Sequence, residues 1–311
     1  MNVLVTGGSG FIGRNIVKML KEEGNTVGTY DIKDKNSNCD YHLISDVRNL
    51  NMLDKACRGI DYVFHLAAVT SPPEFENLTA EGYEVNVIGT YNVLAASAKN
   101  GVKKVILASS SSIYGDLKEA AKEPILPDKY SNFYPMTKRI NEMTAGVFRD
   151  YGLETVSLRY FNTYGAGENT KGNYSSIIWK FIDDINNKRK PKIYGDGRQR
   201  RDFIYVKDTA RASILALKNG KSGEAYNIGT GNSVDFNYIF NIVKEETGYE
   251  GDADYVPNPL KNYQYFTEAN MSKSKSELEF SPEYDLRRGI RETLDLMRSN
   301  KRREAKVPPY K

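Results

Sequence analysis

The chain has 311 residues, 40% hydrophobic and 27% charged, which provides for a sizeable core and excludes a disordered chain. No apolar run approaches the ~18 residues that span a bilayer, and MNVLVTGGSG lacks the basic and apolar regions of a secretory leader. Two cysteines, Cys39 and Cys57, make no disulfide framework, and with only His42 and His65 beside them no metal-ligand cluster is expected. These features point to a cytoplasmic protein without a membrane partner. The net charge of +4 is local: residues 287–311 carry nine Lys/Arg against three Asp/Glu, so the rest of the chain sums to −2. A solvated basic tail over 301–311, probed by deleting 300–311, is favoured over a nucleic-acid surface, which needs clustered charge on the fold itself.

Short apolar runs alternate with amphipathic stretches through the first half. NVLVTG (2–7), NTVGTYD (25–31), DYVFHLA (61–67), KKVILASS (103–110) and ETVSLRY (154–160) read as strands. Between them, 10–24, 49–59, 78–100 and 136–151 read as helices; the first places Phe11, Ile12, Ile16, Met19 and Leu20 on one face. Alternation of this kind implies βαβ units and a parallel sheet covered on both faces. The expectation is a Rossmann-like, doubly wound α/β domain over 1–165, completed by strands from about 190–230, with a smaller mixed α/β substrate-binding cap over 166–300. In the cap, helices are expected at 174–187 and 206–220, strands at 192–194 and 224–229, and a loop at GDGRQRRDF.

The first βα turn is Gly7-Gly8-Ser9-Gly10-Phe11-Ile12-Gly13. Its glycines satisfy both G-x-G-x-x-G and G-x-x-G-x-x-G, spacings that let a backbone approach a pyrophosphate held on helix N–H groups. A ligand-free glycine turn is the plainer alternative. Its position between a strand and a helix, and Asp31 eighteen residues past Gly13 at the end of the second strand, favour a dinucleotide site. The Asp31 carboxylate would repel a 2′-phosphate and no arginine follows it, which favours NAD over NADP.

Tyr134 and Lys138 form Y-x-x-x-K, which on a helix places both side chains on one face. A nearby ammonium lowers a phenol's pKa from ~10 toward neutrality and makes it a usable general base. Chance alone yields about two such matches in a chain this rich in Tyr and Lys. Tyr114 and Lys118 supply the other one, in a Gly-containing loop. Only Tyr134 begins a long predicted helix and follows a strand that ends in the serine cluster 109–112.

With TGGSGFIG (6–13), FHLAA (64–68), NVIGT (86–90), ASSSSIYGD (108–116), YPMTK (134–138), RYFNTYG (159–165) and RRDFIYVKD (200–208), the chain resembles the extended short-chain dehydrogenase/reductases that act on nucleotide sugars. The resemblance implies that Gly7, Gly10, Phe11, Ile12 and Gly13, with Asp31, Asp46 and Val47, bind NAD. It implies further that Leu66, Ala67, Ala68, Thr70, Asn86 and Ser109 line the cofactor's path and that Tyr160 and Phe161 flank the nicotinamide. Ser110, Tyr134 and Lys138 would be the catalytic set, with Tyr134 and Lys138 also touching the cofactor. Ser110, Ser111, Tyr134, Asn162, Arg201, Lys261 and Thr267 would meet the sugar nucleotide. Read singly, Asn86 is a helix-surface amide and Arg201 a surface partner of Asp202.

Dehydratases of this group carry an Asp-Glu pair after the catalytic Thr, where this chain has Ser111 and Ser112, so water loss is disfavoured. The nearest resemblance is to UDP-hexose 4-epimerases, including those acting on N-acetylated sugars, through 134–152, 169–178 and 264–273. Thr267 stands where a bulky Tyr excludes the N-acetyl group; it reads equally well as an ordinary loop residue. The family's Arg and Asp before that segment are absent here, which leaves Lys261 as a point charge without a bidentate fork. Pro135 requires the helix to start near Tyr134, capped by Ser131 or Asn132. The expected activity is NAD-dependent 4-epimerisation of a UDP-glucose or UDP-N-acetylglucosamine type substrate through a 4-keto sugar, by a homodimer formed through the helices near 78–100 and 136–151. Alternatives are an epimerase, decarboxylase or dehydrogenase of another nucleotide sugar, and a non-catalytic NAD-binding sensor.

Overall fold

The apolar run NVLVT folds as β1 (Asn2–Thr6) inside a seven-stranded sheet whose pairings are all parallel. The structure is a computed structural model and describes residues 1–34, 38–70, 75, 78–130, 132–259 and 263–304. The other sheet strands are β2 (Thr26–Asp31), β3 (Tyr41–Ile44), β4 (Tyr62–His65), β5 (Lys104–Ser110), β6 (Glu154–Tyr160) and β10 (Ala225–Ile228). Their order is β10-β6-β5-β4-β1-β2-β3, so the chain winds outward in both directions from β1 and β4. That reversal opens a crevice at the carboxyl ends of the two central strands.

Both faces of the sheet are buried, which is why its strands read as continuous apolar runs. Val3 and Val5 face Ile16, Val17 and Leu20 of α1 (Phe11–Glu22), while Leu4, on the alternate face, joins Val63, Val105 and Leu94 in a separate core. Helix α1 ends where Gly24, at φ +78°, leaves the helical region. The second predicted helix is α2 (Leu50–Ala56), capped by the Asn49 side chain. The stretch predicted as one helix over 78–100 is α3 (Thr79–Tyr83), a π turn (Glu84–Ile88) and α4 (Gly89–Lys99). Helix α5 (Phe133–Asp150) begins one residue before Tyr134; Asn132 Oδ1 accepts from the Tyr134 amide at 3.2 Å. Pro135 falls in its first turn, where its missing N–H costs no helical bond.

The predicted elements of the second half appear as α6 (Ile177–Asn186), β8 (Lys192–Tyr194), α7 (Val206–Asn219) and β10. Among the elements not expected are β7 (Asn162–Tyr164), β9 (Arg200–Tyr205), β11 (Ser233–Asp235) and α8 (Phe236–Thr247). The GDGRQRRDF stretch, expected as a loop, holds the start of β9, which is the middle strand of a β11-β9-β7 sheet. Of the strands between 190 and 230 only β10 enters the main sheet, while β8 pairs with β12 (Asp254–Val256). A second lobe forms around Phe181, Phe203, Phe236, Phe240 and Ile290.

Candidate active site

The glycine turn occupies the crevice between β1 and β4. Gly7 has φ +68°, and a Cβ there would lie 2.7 Å from the Ala67 amide nitrogen. At Gly13 a Cβ would come within 2.2 Å of the Gly7 carbonyl oxygen. Gly10, the N-cap residue of α1, has no side chain to cap the first turn. Asp31 ends β2, and its carboxylate is oriented by the Ser9 and Lys33 amides, both at 3.0 Å. Leu66, Ala67, Ala68 and Thr70 form the exit from β4, and the Leu66 amide bonds back to Thr6. Asp46 is paired with Arg48 at 2.7 Å, which holds its carboxyl below the usual range, and Val47 is buried under Gly89. We expect Gly13→Ala to open this turn and weaken NAD binding tenfold or more, an overpacking cost of about 1–3 kcal/mol. Coenzyme retained by the purified variant measures it.

The ends of β5 and α5 meet beside the crevice. Lys138 is buried and donates from Nζ to the Ala108 carbonyl at 2.9 Å; the same ammonium lies 5.9 Å from the centre of the Tyr134 ring. Burial lowers the Lys138 pKa to about 8, with Glu142, one turn along α5, pulling it back up. Tyr134 is buried and packs against Phe75 and Val69. Ser110 ends β5, and its Oγ accepts from the Ser112 amide at 3.2 Å, opening the 3-10 turn Ser111–Tyr114. Ser109, expected on the cofactor path, gives its hydroxyl to Glu142 at 2.7 Å.

Residues that sequence reasoning passed over support this pair. Arg159 binds both oxygens of Glu142 at 2.9 and 2.8 Å and also donates to Tyr114 Oη and the Glu123 carbonyl. Burial alone would raise the Glu142 pKa, but the guanidinium wins and holds it low. The Glu142 position, four residues past Lys138 on one face, was a legible signal. His65 Nδ1 meets Thr6 Oγ1 at 2.7 Å and Nε2 meets Thr90 Oγ1 at 2.9 Å. Thr90 gives its own proton to the Asn86 carbonyl and Thr6 Oγ1 accepts from the Ala67 amide. His65 must therefore carry its proton on Nε2, and burial drops its pKa to about 3. Asn86 is no helix-surface amide: it lies buried in the π turn and bonds the Val69 amide and carbonyl and Thr137 of α5. It thus ties the β4 exit to the helix that carries Tyr134.

Tyr160 and Phe161, expected beside the nicotinamide, commit their side chains to the core: Tyr160 Oη lies 2.8 Å from Ser213 Oγ and Phe161 packs on Tyr114. On the other side of β7, Asn162 Nδ2 donates to Thr267 Oγ1 at 3.0 Å, which brings two expected substrate residues together. Arg201 is not a partner of Asp202, whose buried carboxylate takes the Thr230, Gly231 and Ala269 amides instead. The Arg201 guanidinium lies over the Tyr263 and Phe236 rings, at 5.2 and 5.9 Å, with no ion pair among the described residues. Ser111 is half-buried in the 3-10 turn, and Lys261 lies outside the described residues.

The model of the NAD dependent epimerase/dehydratase family matches residues 3–229, the glycine turn and the Tyr134-Lys138 helix included. The chain belongs to that family. Among its relatives, the UDP-glucuronate 4-epimerase of Thermodesulfobacterium geofontis is 32% identical over 317 residues, 96% of each protein. The UDP-glucose 4-epimerase of Thermotoga maritima, solved with UDP-glucose, superposes with a TM-score of 0.91 at 32% identity, covering 96% of this chain and 99% of that one. The UDP-N-acetylglucosamine 4-epimerase of Methanobrevibacter ruminantium M1, in complex with UDP-N-acetylmuramic acid, gives 0.90 at 32% identity, with 96% and 98% covered. The turn of this epimerase/dehydratase member fits the family's coenzyme on its own geometry. The contacts at Gly7 and Gly13 leave no room for a side chain, the N-cap of α1 is a glycine, and an oriented carboxylate ends β2.

Proposed function

We propose that this NAD-dependent enzyme interconverts the C4 epimers of a UDP-hexose. The observation that carries the reading is the buried Lys138 ammonium, fixed to the Ala108 carbonyl beside the Tyr134 ring at the carboxyl end of β5. Tyr134, with that charge beside its ring, takes the proton of the sugar 4-hydroxyl, and Ser110 shares the hydrogen bond. Bound NAD supplies the hydride acceptor and donor at sugar C4. The 4-keto sugar turns over in the pocket and takes the hydride back at C4 on its opposite face, while Tyr134 returns the proton to the 4-oxygen, so no net redox change results. Gly7, Gly10, Phe11, Ile12, Gly13 and Asp31 would hold the coenzyme. Arg201, buried between two rings and without an ion pair among the described residues, would meet the diphosphate, and Asn162 with Thr267 would meet the sugar side. A dehydratase reading finds no acid or base, since the positions after Ser110 hold the hydroxyls of Ser111 and Ser112.

Thr267 is small, and its hydroxyl is held by Asn162, which leaves an N-acetyl group more room than a tyrosine would. The substrate is therefore a UDP-hexose with or without a 2-acetamido group. A cytoplasmic homodimer is part of the same proposal: Ile88 and Tyr91, with Met143, Val147 and Tyr151, expose apolar side chains on the helices expected to pair. Incubation with UDP-glucose and UDP-N-acetylglucosamine, followed through the anomeric proton signals, should show the 4-epimer with no accumulating NADH. Absence of an epimer from every UDP-hexose offered would overturn the assignment, and NADH rising with product would make the enzyme a dehydrogenase.

A further inference from the structure

Behind Lys138 the fold leaves a small polar cavity between β4, β5, β6 and α5, lined by His65, Thr90, Ser109, Lys138, Asn141 and Ser157 among others. Asn141 is buried, and its Oδ1 has no hydrogen-bond partner among the described residues. Such an orphan acceptor is destabilising unless something donates to it. Three of the side chains around it are committed elsewhere. His65 uses its Nε2 proton on Thr90, Thr90 uses its own on the Asn86 carbonyl, and Ser109 gives its proton to Glu142. Lys138 has three protons and donates one of them, to Ala108, among the described residues. The cavity thus faces spare donors on one wall and an unfilled acceptor on another, in a space the size of a single water molecule.

We propose that this cavity binds an ordered water that accepts from Lys138 Nζ and donates to Asn141 Oδ1, which makes Asn141 a positioning residue for the ammonium. The inference rests on the reading of Lys138 as part of the catalytic pair and adds a site behind it. The water is the ammonium's second acceptor after Ala108, and it favours the charged form in a place where burial opposes it. The charged and titratable groups facing Lys138 are Tyr134 and Glu142 on its own helix, with Arg139 beyond, His65 from β4, and Arg159 from β6 acting through Glu142. His65 is neutral, and Arg159 is spent on Glu142 and Tyr114, so the water and Glu142 are what hold the proton on Lys138.

Activity needs the charged lysine and should fall as pH rises through the region of about 8. In Asn141→Leu, which keeps the branched shape and removes the acceptor, the alkaline limb of kcat/KM should move down by about one pH unit. Asn141→Asp keeps the shape and a stronger acceptor, and its limb should stay at or above that of the parent enzyme. A merely structural role would lower the melting temperature of both variants and leave the limbs where they were, which overturns the proposal. Should the leucine variant not fold, a high-resolution crystal structure of the NAD-loaded parent decides: density touching both Lys138 Nζ and Asn141 Oδ1 supports the site, and an empty cavity overturns it. That structural arm is independent of activity, so it separates a failure of this inference from a failure of the epimerase reading.

Discussion

Tyr134→Phe should abolish epimerisation while the protein stays folded and keeps its NAD. General acid–base groups contribute about 10²–10⁴-fold, and here one phenol serves as base for the 4-hydroxyl and then as acid for the ketone. The loss should therefore sit at the upper end of that range in kcat. The substitution removes only the hydroxyl, so the ring keeps its packing against Phe75 and Val69 and the helix keeps its Asn132 cap. Turnover is measured by the anomeric signals of a UDP-hexose, and bound coenzyme by its release on denaturation. Retained turnover would mean that another group takes the proton.

Arg159→Leu should be the most destabilising single change among those considered. Arg159 and Glu142 are 3% and 5% exposed at the side chain, and the substitution strands a buried carboxylate. Breaking one partner of such a pair costs about 3–5 kcal/mol, a fall in melting temperature on the order of 10 °C for a chain of this size. The pair also gives the protein an acid limit with a defined sign. The folded-state pKa of Glu142 lies below its ordinary 4.5, so the stability it contributes is complete above that value. It is lost as pH falls through the lower, folded value. Melting curves between neutral and strongly acid pH should show this slope in the parent and a shallower one in the variant.

The main sheet was legible because its strands are buried on both faces and short apolar runs leave little choice of element. The glycine turn was legible for a steric reason: Gly7 and Gly13 sit where no Cβ fits, and that need is written in residue identity. Tyr134 and Lys138 stood out by their place on a helix after a serine-rich strand end. What stayed hidden depends on partners distant in sequence. The edge strand β3 is half-exposed and has a weak pattern, and β9 begins with two arginines, the second of which is buried against Phe236 and Tyr263, far along the chain. The π turn at Asn86 and the Asn141 acceptor are properties of how three strands and two helices close on each other, and no local spacing announces them. Tyr160 shows the reverse case: its position matched a motif, yet its hydroxyl found Ser213 in the core.

The return of the chain at β10 to lie beside β6 has a practical meaning for anyone who would cut or splice this enzyme. A fragment stopping at Tyr164 would expose the whole flank of β6 to self-association and strip the cover that α7 gives to α1. The two halves are thus a poor subject for separate expression or simple fusion swaps. A chimaera that exchanges specificity would have to graft the excursions on either side of residues 206–228 and leave that stretch native.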